Sequence, residues 1–460
     1  MTHQHLEVRD KFTGEVIGSV PLADRDAVDR AVTAAKDAFP AWSHTPAHRR
    51  SDVLFRAADM LEARRDEIAT TIAREAGKAW KYAVAEAERG VETFRFSAEE
   101  AKRIHGETVP MDASAAGEGR WGFWVRVPVG VVAAITPFNF PLNLVAHKVG
   151  PALAAGNSVV LKPASTTPLT AALLCDVLRQ CGLPPGVLEL VVGPGSTVGD
   201  WLVTDRRVAK VSFTGSPSVG ESIVRAAGLK KVTMELGNNS GTIVEPDADL
   251  TAAIPRCVMS AFANSGQVCI SLQRLYVHAS IFEDFTRRFV AATAALKVGN
   301  PMERDCDVGP MISQSEVARV VAWIAEAEQD GARVLAGGRS DGSMLQPTVL
   351  CDVAASMNVM CQEVFAPVVC LVSYDDFDAA LAALDDSEYG LQAGVWTNDL
   401  RKAFRAIERL DCGGVMVNDT SIFRVDHMPY GGNRRSGLGR EGVRFAVEEM
   451  TNIKMVVIRA

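Results

Sequence analysis

The chain has 460 residues, 48% of them hydrophobic, enough for about three domains or one large two-lobed enzyme with real cores. Its formal charge is -8 with no basic cluster, which counts against nucleic acid or an anionic membrane as a partner. No run of about 18 apolar residues is present, the first six residues do not read as a signal peptide, and nine cysteines without a C-x-x-C pair suit free thiols in a reducing cytoplasm rather than zinc.

From 20 to 105 the chain reads as helices. Apolar residues at 27, 28, 31, 32, 35 and 38–39 form a helical stripe within 24–39. A second stripe covers 54–68, and a heavily charged third helix is expected over 86–104. The period then shortens: 106–110 and 121–128 alternate like strands around an Ala/Gly/Asp-rich loop. Between 129 and 236, strands at 131–136, 158–162, 187–192, 208–213 and 231–236 alternate with helices at 142–155, 168–180, 196–202 and 219–227. That order means a parallel sheet with helices on both faces, and such sheets bind ligands at the carboxyl ends of their strands. A second alternating lobe follows to about 440. Its strands lie near 274–278, 333–336, 366–373, 393–396 and 414–417, and its helices near 251–264, 280–295, 315–330, 376–385 and 399–409. The fold class is therefore α/β.

Several stretches carry chemistry. Gly215-Ser216 follows a strand and opens a helix, where outward N–H groups can hold a phosphate; a plain tight turn is the alternative. Neither G-x-G-x-x-G nor a P-loop is present. The helix ending near Phe262 runs into Ser265-Gly266, and Cys269 lies in the turn before the next strand. A cysteine there is partly exposed and near backbone N–H groups, which suits a nucleophile; an ordinary buried thiol is the competing reading. Asn139 sits at a strand end in Thr136-Pro137-Phe138-Asn139 and can offer its amide N–H to an oxyanion. Glu235, at another strand end before Leu236-Gly237, can act as a base, or else pair with Lys230.

Taken in order, these motifs resemble the aldehyde dehydrogenase superfamily from about Val20 to the C-terminus. The resemblance implies two Rossmann-like parallel-sheet lobes plus a small β oligomerisation hairpin. It divides the chain into 1–105 with 126–236 for cofactor, 237–440 for catalysis, and 106–125 with 441–460 for assembly into a homodimer or homotetramer. The implied cofactor is NAD or NADP, held through Thr136, Pro137, Lys162, Gly215, Ser216 and Glu363-Val-Phe365-Ala-Pro367, which resembles the family's E-x-F-x-P. Members strict for NAD commonly carry a glutamate where this chain has Ser165, so the preference stays open.

The implied reaction is oxidation of a small hydroxylated or anionic aldehyde to its acid. It would proceed through a thiohemiacetal and thioester on Cys269, with hydride passing to NAD(P)+. Relatives that acylate coenzyme A usually lack a glutamate at the place of Glu235. A coenzyme-A-acylating enzyme and a non-catalytic binding protein on the same fold are the alternatives. Gly-Gln-Val-Cys-Ile-Ser around Cys269 is most similar to lactaldehyde and glycolaldehyde dehydrogenases, and phosphonoacetaldehyde members share a histidine like His147. Succinic-semialdehyde members commonly have arginine at the positions of His147 and Ala263, and this chain has neither. Ile270 and the loop 418–432 should wall the pocket, with Phe138 and Phe423 as an aromatic side. Arg95, Arg120, His147, Arg424 and His427 are candidates for a small-anion site, though each reads more readily as solvated or ion-paired.

Overall fold

The computed structural model describes residues 4–459; Met1–His3 and Ala460, the ends of the first and last expected segments, lie outside the described residues. Two parallel sheets dominate. The first has six strands in the order Gly437–Leu438, Lys231–Glu235, Val208–Thr214, Val131–Ile135, Ser158–Lys162 and Leu188–Leu190, all parallel except Gly437–Leu438. Register places Ile135 beside Lys162 and Phe213, and Thr214 beside Glu235. Thr136, Lys162, Gly215 and Glu235 thus share one carboxyl edge, where such sheets take their ligands.

The second sheet has seven strands, ordered Arg333–Ala336, Thr348–Cys351, Val368–Tyr374, Arg274–His278, Gly241–Val244, Gln392–Trp396 and Gly414–Val417. Only its first pair is antiparallel. Cys269 and Glu363 lie just before the amino ends of Arg274–His278 and Val368–Tyr374. A third sheet, wholly antiparallel, joins Thr451–Arg459, Arg120–Pro128 and Glu107–Val109.

Several elements differ from the sequence expectation. Four helices, not three, precede the hairpin: Arg25–Ser43, Ala47–Ala63, Arg65–Ala76 and Trp80–Glu100. The extra break falls at Arg64, inside the stripe expected over 54–68, where the backbone leaves helical geometry at φ -101° and ψ 17°. A hairpin of His5–Arg9 and Val16–Pro21, for which the sequence reading had no expectation, opens the described residues. Gly195–Gly199 forms a π-type turn leading into a short helix, Asp200–Thr204, because Pro194 and two glycines oppose regular α geometry. The strands Gly241–Val244 and Thr348–Cys351 were not expected; both are four residues long and wholly buried, so they carry no alternation.

The helix Asn143–Ala155 is buried on every side. The N–H groups of Leu142 and Asn143, at its start, donate to the Glu86 carboxylate at 2.9 and 3.2 Å. Glu86 pairs with the buried Lys78, whose ammonium lies 3.7 Å from the centroid of the Phe140 ring. This clamp fixes the segment from Thr136 to Asn143, and with it Asn139. Among the described residues no helix is long and apolar enough to cross a membrane.

Candidate active site

The turn that presents Cys269 is strained. Asn264, Ser265 and Gly266 follow one another in left-handed backbone, at φ 52°, 55° and 68°. For the two non-glycine residues this costs on the order of 1 kcal/mol each. Side chains brace the turn. Asn264 Nδ2 donates to the carbonyls of Gln267 (3.2 Å) and Asn139 (3.3 Å), and Ser265 Oγ donates to Gly309 O (2.8 Å). Gly266 is needed twice over, since a Cβ there would also sit 2.0 Å from Ala366 O.

Cys269 opens onto a cavity of about 440 Å³. Burial pushes its thiol up to about 11, against the pull of a hydrogen bond with Tyr430 and the charge of Arg424. Asn139 is tied to the same turn: its Nδ2 donates to Gln267 O at 2.9 Å. An amide carries two N–H bonds, so one donor is left over. Glu235 is 3% exposed, and neither carboxylate oxygen has a partner among the described residues, so the pairing with Lys230 is not formed. Burial first, then the charge of Glu441, raises its carboxyl well above the usual range, while Arg424, Lys148 and Arg440 pull the other way. Room for it is made by Gly431, where a Cβ would approach Glu235 Oε1 to 2.9 Å.

A charged cluster backs this centre. Lys148 Nζ and Arg424 Nη2 grip the two oxygens of Glu441 at 2.8 and 3.1 Å. The Arg424 guanidinium lies 3.6 Å from the centroid of the Tyr430 ring. The sequence reading missed Tyr430, Asn264, Lys148 and Glu441, and also Arg89 and Arg256, which line the cavity. One signal was there: a lysine inside the apolar run 142–155 must find a buried partner.

Most of the expected cofactor residues stand at the carboxyl edge of the six-stranded sheet. Among the described residues, the buried hydroxyls of Thr136 and Thr214 have no partners. Among the described residues Lys162 donates only to Pro163 O, at 3.1 Å, and burial lowers its ammonium to about 8. Ser216 caps the helix Pro217–Ala227 in extended backbone, leaving first-turn N–H groups free. Glu363 Oε1 accepts from the Asn238 N–H at 3.0 Å, and burial raises its carboxyl to about 7. Orphaned hydroxyls, an ammonium and a helix amino terminus on one edge, with the Glu363 carboxylate contributed from the other sheet, fit the hydroxyls and phosphates of a dinucleotide. Ser165 points elsewhere, its hydroxyl donating to Gly193 O at 2.9 Å.

Not all expected pocket residues converge. Ile270, Phe423 and Arg424 line the cavity. Phe138 does not: its ring meets Phe365 edge-on at 5.9 Å, and Phe140 supplies the aromatic wall instead. His147 is fully buried behind the pocket, with Nε2 2.8 Å from Asp426, because a helix enclosed on every side turns it away from solvent. Arg95 is held by Glu62 and Glu92, Arg120 by the carbonyl of Ala116 in the hairpin, and His427 packs at a tilt against Phe96. The five-residue anion site therefore reduces to Arg424. Its Nε is buried without a partner.

A profile described as the aldehyde dehydrogenase family matches residues 1–456. A 3-sulfolactaldehyde dehydrogenase of Priestia aryabhattai is 48% identical over 457 residues, covering 99% of this chain and 95% of that protein. Aldehyde dehydrogenase 21 from Physcomitrella patens, solved with its reaction product succinate, superposes with a TM-score of 0.98 at 42% identity, covering 100% of this chain and 95% of that one. The glyceraldehyde-3-phosphate dehydrogenase of Methanocaldococcus jannaschii, solved with NADP, gives 0.96 at 38% identity, covering both chains fully. Matched over its whole length in sequence and in fold, the chain belongs to the aldehyde dehydrogenase family, and is an NAD(P)-dependent oxidoreductase that turns an aldehyde into its carboxylic acid.

Proposed function

We propose that this enzyme oxidises a small aldehyde with a hydroxyl group and an anionic end, and that Arg424 holds the anion. The observation that carries the reading is Arg424 itself: a buried guanidinium in the wall of the Cys269 cavity with an unpartnered Nε. A planar cation with spare donors suits a sulfonate, phosphonate or carboxylate. The relative named for 3-sulfolactaldehyde, at 48% identity, supports it, and the succinate in the 42% identical relative brings a carboxylate end into the test. Arg424→Met should lower kcat/KM for 3-sulfolactaldehyde and succinic semialdehyde by roughly 100-fold, the scale of a buried charge-assisted contact. Propanal oxidation should change far less. Equal losses on charged and neutral aldehydes would make Arg424 a structural residue.

In this reading the Cys269 thiolate attacks the carbonyl carbon. The oxyanion takes the spare Asn139 Nδ2–H and the Cys269 backbone N–H. NAD(P)+, when bound, would supply the hydride acceptor. Thr136, Pro137, Lys162, Gly215, Ser216, Glu363 and Phe365 would hold it. Glu235 then takes a proton from water, the water attacks the thioester, and the acid leaves as the thiolate is restored. Asn139→Ala should lower kcat by about 10²–10³-fold with little change in cofactor affinity. An unchanged kcat would remove Asn139 from the oxyanion site. Glu235 favours hydrolysis over transfer to coenzyme A. The neutral Ser165 puts no carboxylate against a 2′-phosphate, so NADP as well as NAD is expected to serve.

The proposed division of labour gives cofactor binding to 1–105 and 126–236, catalysis to 237–440, and assembly to 106–125 and 441–460. Supporting assembly as a homodimer or homotetramer, the three-stranded sheet exposes Trp121, Ile453, Met455 and Val457. A reducing, cytoplasmic setting is proposed from the nine free cysteines.

A further inference from the structure

We propose that Tyr430 is a further catalytic residue, whose hydroxyl donates a hydrogen bond to the Cys269 sulfur and holds the thiolate in position for attack. The inference rests on Cys269 as the nucleophile. The two atoms are 2.9 Å apart. Among the described residues the sulfur has no other side-chain partner, and the phenol hydroxyl has none besides the sulfur. No lysine, arginine or histidine bonds the thiol, although burial works against its ionisation. A neutral donor is what such a site can offer a thiolate without burying a second charge.

The phenol is well fixed. Tyr430 is 3% exposed. Its backbone N–H donates to Glu441 O at 3.1 Å, and the Glu441 N–H returns the bond at 2.6 Å. Glu441 in turn anchors Arg424, whose guanidinium sits over the Tyr430 ring. A cation over a phenol draws electron density from the ring and strengthens its O–H as a donor. Burial, followed by the charge of Cys269, raises the Tyr430 hydroxyl well above its ordinary value, so it stays protonated through the working range of pH. Tyr430 therefore moves no proton. The thiol loses its own to solvent. The sulfur lone pair then forms the C–S bond as the carbonyl π pair moves to oxygen, and the phenol keeps its hydrogen throughout.

The test is the rate of iodoacetamide alkylation at Cys269 as a function of pH, read by peptide mass on the full-length protein. In Tyr430→Phe the midpoint should move up, and alkylation at pH 7 should fall about tenfold, the scale of one charge-assisted hydrogen bond. The acid limb of kcat/KM should move up with it, so that activity recovers at higher pH. A purely structural role would leave both midpoints in place. Incorporating 3-fluorotyrosine at 430 keeps the volume and sharpens the donor, so the midpoint should move down. A midpoint that is unchanged in both variants overturns the proposal. So does one that falls in Tyr430→Phe, which would mean the thiol donates to the phenol. Cys269→Ala separates the two readings: turnover surviving in that variant refutes the nucleophile, whatever the alkylation curves give.

Discussion

Cys269→Ala should abolish aldehyde oxidation, by roughly a million-fold if it behaves like other nucleophile deletions, while leaving NAD(P)+ affinity within about twofold. The sulfur lies at the mouth of the substrate cavity. The cofactor contacts expected at Thr136, Lys162 and Gly215 belong to the carboxyl edge of a different sheet. The substitution also removes little volume from a partly buried position beside a cavity, so folding should be spared. Isothermal titration of NADP+ and an initial-rate assay check the two halves separately. Near-normal turnover would show that the chemistry runs elsewhere. Lost cofactor binding would show that the turn supports the cleft as well as the nucleophile.

Glu235→Gln should stall the enzyme after one turnover. The first half of the reaction needs Cys269 and the oxyanion donors, so a burst of about one reduced nicotinamide per site should survive. Steady turnover should then fall by roughly 10²–10⁴-fold, the usual worth of a general base. Intact mass should show the acyl group on the protein. The pH dependence follows from burial. The Glu235 carboxyl is held well above its ordinary range, and only its ionised form can take a proton from water. Deacylation in the wild type should therefore fall as pH drops through that raised value and level off above it. Glu235→Gln should lack this limb. A variant that turns over steadily, with no acyl adduct, would sink the assignment.

The alternation of elements was legible from periodicity, and Cys269, Asn139 and Glu235 stood out as candidates because each lies at, or in the turn between, the ends of regular elements. Strand-end positions follow from periodicity, and a parallel sheet gathers its carboxyl ends along one edge. The family resemblance rested on such ends. What periodicity does not carry is the direction of a side chain in an irregular segment. Phe138 and Phe140 are two residues apart in one turn, yet only Phe140 reaches the cavity. His147 and Arg424 both read as loose basic groups. Burial of a whole helix settled the first, and pairing across the chain to Glu441 settled the second. Tyr430 lay inside a loop already marked as a pocket wall. Its reach to the sulfur depends on a backbone pairing with Glu441 that no local pattern announces.

The strand Gly437–Leu438 completes the edge of a sheet whose other members all precede residue 236. Ribosomal synthesis runs in the opposite sense to this dependence. A nascent chain released only as far as Gly414 would carry Cys269, Asn139 and Glu235, yet would lack the loop that lies against Cys269 and Glu235. Reactivity at the thiol should thus switch on late, when the last segment docks. A separately expressed C-terminal fragment added in trans is the natural way to restore it.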